Sequence, residues 1–325
     1  MRARRLLLAT LGVAALIAVA AAAPTNATFP GANGRIAYDD YMTGQVYTIN
    51  PDGSKRRQLT DTPRRLAAAD ASWSADGKLL VYDVFSTNDP AGPSSLWFMN
   101  ADGSHKRLLI REHRGFRALA PSFTPNGRKV VFTRCHPEPD DACAIWIVRS
   151  NGKHKHALTP FVHGTRDIHN DFNAQVSPNG RLIAFSRFGG GGIAGQILLM
   201  RLDGSHVHPI TPPKYEAFQP DWSPNGKRIA FSSLVARTGS SVYTMRSTGG
   251  DIHRLTKDHF PKNDAQPAYS PNGEKVVFIS DRKYDDGCCV DLFTIGVDGG
   301  TDHRIPTKPG GGILDPAWGT APIIR

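Results

Sequence analysis

The chain has 325 residues, a formal net charge of +10, and 32 glycines and 24 prolines. This turn-rich composition, with helical periodicity confined to the extreme N-terminus, excludes a helix bundle, and the length gives no reason to split the chain into several domains. The basic balance favours anionic partners.

Met1-Arg2-Ala3-Arg4-Arg5 precedes an apolar run from Leu6 to Ala23 that ends in small residues. A basic start, an apolar middle and an Ala-x-Ala exit near Ala21 to Ala23, or at Ala27, mark residues 1–27 as a secretory signal peptide. The run is also close to a minimal membrane span, so an uncleaved anchor is the alternative. With cleavage no membrane span is left, and the chain is expected to be secreted, in an extracellular or periplasmic space. Removing Arg2, Arg4 and Arg5 leaves a net charge of +7. An exported basic protein meets anionic cell-wall polymers or lipid headgroups more readily than nucleic acid, although a merely solvated surface explains the charge equally well.

From residue 30 onward a unit repeats. An aromatic or apolar residue recurs as Trp73, Phe123, Val176, Trp222, Tyr269 and Trp318, at steps of 50, 53, 46, 47 and 49. A turn glycine recurs as Gly53, Gly103, Gly152, Gly204, Gly249 and Gly299, at steps of 50, 49, 52, 45 and 50. Two markers in step at this period point to four-stranded propeller blades. The fold class is therefore all-β, a six-bladed β-propeller of four-stranded antiparallel blades over residues 30–319.

Blade one covers residues 30–62 but lacks its first strand, which Ile313 to Trp318 supplies from the far end of the chain, closing the ring and hiding sheet edges. Blades two to four follow at 70–110, 120–160 and 173–212, the last being the most divergent, with Val176 in place of the aromatic. Blade five, 219–257, is the clearest unit. Its first strand ends at Trp222, Ser223-Pro224-Asn225-Gly226 makes a type I turn, and strands follow at Arg228 to Ser232, Val242 to Arg246 and Ile252 to Leu255. Blade six is 266–306. The recurring aromatics are expected to pack between blades, a carbohydrate-stacking role being the lesser alternative. Runs such as Ile229-Ala230-Phe231 suit strands buried on both faces.

Units of the form aromatic-Ser-Pro-Asn/Asp-Gly-Lys-x-Ile-Ala-Phe, followed by apolar-Tyr-x-Met, Asp-Gly-Ser and Leu-Thr, resemble the WD-like propeller repeats of the TolB family. The match is clearest at Trp222 to Phe231, Tyr269 to Phe278 and Trp73 to Tyr82. The resemblance implies a binding propeller; the chain departs from TolB itself, which resembles an α/β domain followed by a propeller, in having no room for that first domain. Peptidase relatives add a hydrolase domain with a Gly-x-Ser-x-Gly elbow, which this sequence lacks.

Alternating strand direction puts the Pro-Asn-Gly and Asp-Gly-Ser turns on one face, the bottom, and the long irregular loops on the top, where binding groups concentrate. Three residues before each interblade aromatic stand Asp70, Ala120, Asn173, Gln219, Gln266 and Asp315, expected to line the channel mouth. Two carboxylates and three amides suit a hard cation such as calcium, a water-filled polar channel being the alternative. The top loops also carry His113, His163, His169 and His259, with Asp167 and Asp171. Their spacing matches no metal motif, yet a histidine-lined site at the mouth would make the protein a metal-dependent propeller enzyme of lyase or lactonase type. The favoured expectation is a non-catalytic scaffold for a protein or peptide partner of the cell envelope or exterior.

On the bottom, Arg35, Lys78, Arg128, Arg181 and Lys227 share one repeat position, Glu274 being the exception, and Lys55, Lys106 and Lys153 follow the other turns. They form a candidate surface for an anionic cell-wall polymer. Cys135 and Cys143 stand at the end of one strand and the start of the next, where a disulfide would tie the base of their loop. For Cys288 and Cys289 a vicinal disulfide, two free thiols and a bond between molecules all stand.

Overall fold

The computed structural model describes residues 28–89, 91–137, 142–162, 169–189, 195–234, 239–257, 261–284, 289–307 and 312–321. Within these residues the strands form six four-stranded antiparallel sheets. Blade five holds Ala217–Trp222, Arg228–Ser233, Ser241–Arg246 and His253–Arg254. Its predicted turn forms: the Gly226 N–H donates to the Ser223 carbonyl at 2.8 Å. Gly226 itself takes φ +69°, a conformation that glycine alone enters without steric cost. The outermost strand is shorter than expected. In four blades it has only two residues, Arg57–Gln58, His156–Ala157, His208–Pro209 and His253–Arg254. It is the edge that faces water, and a short polar strand there offers little ladder for another chain to extend.

Ile313–Thr320 completes the first sheet, pairing antiparallel with Asn33–Asp40 at Trp318↔Ile36 and Ile313↔Asp40. Six apolar clusters fill the junctions between successive blades. The recurring aromatics sit there, as their spacing predicts. Trp222 is 1% exposed, and its Nε1–H donates to the Gln175 carbonyl of blade four at 3.0 Å. Trp73 reaches back in the same way to the Ala317 carbonyl at 3.2 Å. Burial of this order leaves no ring face for a sugar, and contributes on the order of 2–3 kcal/mol per ring.

Thr28 and Phe29, which precede the repeat, are also buried. The Thr28 hydroxyl donates to the Tyr269 carbonyl at 2.7 Å and meets the Asp221 carboxylate at 3.3 Å, on blades five and six. Phe29 joins the apolar cluster of blades two and three. The segment therefore crosses the underside of the ring and narrows its lower opening.

Cys135 and Cys143 are register partners and form a disulfide. Cys289 is also disulfide-bonded, and Cys288 lies outside the described residues. A Cys135→Ser/Cys143→Ser variant is expected to lose about 2–3 kcal/mol, the closure entropy of a short loop. Calorimetry should read this as a Tm lower by several degrees; an unchanged Tm would mean that strand pairing alone holds the loop base.

Candidate functional site

Every inner strand changes register partway along. In blades two to six the shift falls between Ala69 and Ser72, Leu119 and Ser122, Phe172 and Gln175, Phe218 and Asp221, and Ala265 and Ala268. The residue predicted for the channel mouth sits in each shift with left-handed backbone: Asp70 at φ +59°, Ala120 +55°, Asn173 +56°, Gln219 +54°, Gln266 +55° and Asp315 +52°. A non-glycine residue held there costs on the order of 1 kcal/mol. In return the bulge swings its N–H toward the preceding blade. Gln219 donates to Ser186 Oγ at 2.9 Å and Gln266 to Ser232 Oγ at 3.0 Å. Asp70 donates to Asp39 Oδ1 and Ala120 to Asp70 Oδ2, both at 3.2 Å.

The acceptors Asp39, Ser186 and Ser232 belong to a second tier that also contains Asp83 and Thr133. Each follows the aromatic of its second strand, as in Tyr38-Asp39, Tyr82-Asp83 and Phe231-Ser232. Blade six has Ile279 at that place, and the backbone N–H of Asp315 turns instead to Gln266 Oε1 at 2.9 Å. Sequence reading did not single out this tier, although the repeated aromatic-polar step was its signal.

The two tiers make a buried belt rather than an open mouth. Asp70 is 6% exposed and Asn173 and Gln219 are fully buried. Two of the amides have partners within the belt: Gln219 Oε1 accepts from Ser232 Oγ at 2.9 Å, and Gln266 Nε2 donates to Asp315 Oδ1 at 2.7 Å. The Asn173 amide has no partner among the described residues.

The acids converge. Oxygens of Asp39, Asp70 and Asp315 lie within 4.8 Å of one another, and the buried Asp83 adjoins Asp70. Burial pushes Asp39, Asp83 and Asp315 well above the usual carboxylate range, and neighbouring carboxylates push them further. Burial also raises Asp70, to about 6, less than its neighbours because Asp83 and Asp315 hydrogen-bond to it. Two chemistries satisfy such a cluster. Either protons sit on Asp83 and Asp315 and bridge to Asp70, or a hard divalent cation takes the oxygens. The oxygens of Asp39, Asp70 and Asp315 are ligands of the kind calcium takes.

No histidine joins this group among the described residues. His163, His259 and Asp167 lie outside them. His113 is exposed, His169 is half-buried on the inner strand His169–Val176, and Asp171 is engaged by Arg187 in a bidentate pair at 2.7 and 2.8 Å.

The top rim carries a different chemistry. In blade three Arg134 pairs with Glu112 at 2.9 and 3.0 Å and stacks 3.7 Å over Phe116. The half-buried rings of His136 and Phe161 lie 4.9 and 6.2 Å from Phe116. In blade one Tyr41 and Met42 are 50% and 65% exposed. Aromatic residues, Met and Arg are the residue types enriched in protein interfaces.

A family model described as a TolB beta propeller domain matches residues 171–321. The Tol-Pal system protein TolB of Francisella tularensis subsp. mediasiatica is 27% identical over 264 residues, 80% of this chain and 55% of that protein. The chain thus spans about half the length of the curated relatives it matches. Among solved structures, TolB from Acinetobacter baumannii superposes with a TM-score of 0.69 at 21% identity, covering 89% of this chain and 67% of that one. An oligogalacturonate lyase in complex with manganese superposes with a TM-score of 0.52 at 13% identity, covering 73% and 68%. These structural likenesses speak to the fold alone.

Proposed function

For a chain that belongs to the TolB-like family of six-bladed propellers, we propose the role of an exported, non-catalytic scaffold of the cell envelope or exterior. It binds a protein or peptide across its top face. The observation that carries this reading is the rim itself, where Tyr41 and Met42 stand exposed on the same face as the Phe116, His136 and Phe161 cluster. Rings held by packing lose little freedom on binding, so a preformed rim spends less on ordering than a mobile loop would.

Below the rim the acid belt acts as a rigid hub. A divalent cation held there, such as calcium, would offset two of the charges of Asp39, Asp70 and Asp315 and brace blades one and two. The apolar run that ends at Ala23 supports export, and the paired cysteines suit an oxidising compartment.

A Tyr41→Ser/Met42→Ser variant tests the reading. Both positions are exposed, so stability should stay within about 0.5 kcal/mol. An envelope protein retained by the wild-type chain should be recovered at least tenfold less by the variant. Equal recovery by the two chains would sink the top-face assignment.

A further inference from the structure

On the underside of blade three, Lys129 stands directly opposite Arg149 in the antiparallel register. Opposed like charges destabilise a strand pair. Blade five has the same arrangement, Arg228 opposite Arg246. There the turn supplies a carboxylate between them, with Asp251 at 2.8 Å from Arg228 and 3.7 Å from Arg246. Each turn places its left-handed residue five positions after the arginine. In blade five that residue is Asp251 at φ +48°, and in blade three it is His154 at φ +57°. The counter-charge is missing from blade three, and neither Lys129 nor Arg149 meets a carboxylate among the described residues.

Blade four adds to the imbalance. Arg181 and Arg201 line a groove of about 840 Å³ with Lys129 and His156. A pocket of about 210 Å³ that also contains Lys129 and His156 brings in Arg149 and His154. Asp203, on the same wall, accepts the Ser205 N–H at 3.0 Å and hydroxyl at 2.6 Å and offsets part of the Arg201 charge, which leaves Lys129, Arg149 and Arg181 in excess. Elsewhere in the ring arginines are matched, as in Arg134 with Glu112, Arg187 with Asp171 and Arg282 with Asp264. Leu182 and Leu202 give the groove an apolar wall.

We propose that this groove between blades three and four binds a linear phosphodiester polyanion, whose charges replace the carboxylate that blade five carries in its own turn. Guanidinium forks match phosphate oxygens in pairs. Two pockets that share Lys129 and His156 in their walls accept successive charges of one chain. A groove admits a flexible chain. The site stands apart from the top-face reading, and each survives the failure of the other. It also places the basic surface more narrowly than charge counting does. Arg35, an equivalent underside residue, is spent internally on Thr48 Oγ1 at 3.0 Å and Asn50 Oδ1 at 2.9 Å.

The test titrates the full chain with a poly(glycerol phosphate) probe by fluorescence anisotropy at several salt concentrations. Alongside run inorganic phosphate, polyglutamate and anionic phospholipid vesicles. The wild-type chain should bind the polymer with an affinity that falls as salt rises, and inorganic phosphate should compete only at far higher concentration. His154→Asp, which restores the blade-five arrangement, should weaken binding tenfold or more without lowering Tm, and Arg181→Gln/Arg201→Gln should weaken it comparably. The proposal is overturned by polymer binding that neither variant changes, by no polymer binding, or by equal affinity for polyglutamate. Inorganic phosphate as tight as the polymer, or binding to vesicles alone, overturns it equally.

Discussion

Ending the chain before Ile313 is expected to leave no folded disc. Ile313–Thr320 is the inner strand of blade one, and among the described residues every other strand already belongs to a sheet. Its removal exposes the Asn33–Asp40 ladder, strips Trp318 and Ile313 from the junction with blade six, and takes away the Ala317 carbonyl that accepts from Trp73. Truncating Trp318 alone to Ala should cost about 3–5 kcal/mol. Losing the whole strand then approaches the entire stability of a typical protein, about 5–15 kcal/mol. Near-ultraviolet circular dichroism and size-exclusion chromatography would read the result as lost tertiary signal and aggregation through the open edge. A synthetic peptide of residues 312–321 added in trans should restore part of the signal. A truncated chain that stays monomeric and melts cooperatively near the full-length Tm would show that the ring closes in some other way.

Stability should fall as pH rises from about 4 through 6 and beyond when divalent cations are chelated. Asp70 has its carboxyl raised to about 6 in the folded chain, against roughly 3.9 when unfolded. Between those values the native state holds a proton that the unfolded chain has released, so the contribution is complete below about pH 4 and is lost on the way up. For Asp70 alone this amounts to roughly 3 kcal/mol by neutral pH. Asp39, Asp83 and Asp315, raised well above their usual range by burial and by one another, extend the decline to higher pH. Melting curves in EDTA between pH 5 and 8 should show it as a Tm lower by several degrees at the alkaline end. Asp83→Asn, which keeps the shape and removes the charge, should raise Tm at pH 8 in EDTA. Millimolar calcium should raise the wild-type Tm at pH 8 and do less for Asp315→Asn. A Tm that is flat or rising over this range would refute the buried acid belt.

The repeat was legible because each blade solves the same packing problem with nearby residues. Trp222, its Pro-Asn-Gly turn and the apolar strand after it lie within a dozen positions, and the period then exposes the other five units. Closure by Ile313 to Trp318 was legible for a related reason: blade one lacks a strand and the tail holds a surplus one. The channel residues were also placed in one ring, because the same offset from the aromatic recurs in every unit.

What the sequence by itself determined was therefore everything local and periodic: the strand order, the blade number, the buried aromatics and the face to which each turn belongs. The tertiary structure alone decided which distant groups share a medium. Asp39 and Asp315 are 276 positions apart, yet one buried cluster holds both with Asp70, because closing the ring puts the first and last strands in one sheet. Charge followed the same rule: Arg35 turns inward to Thr48 and Asn50, while Lys129 and Arg149 are left facing each other without a carboxylate. Electrostatic consequences depend on distance and burial, and a linear sequence records neither until the ring is closed.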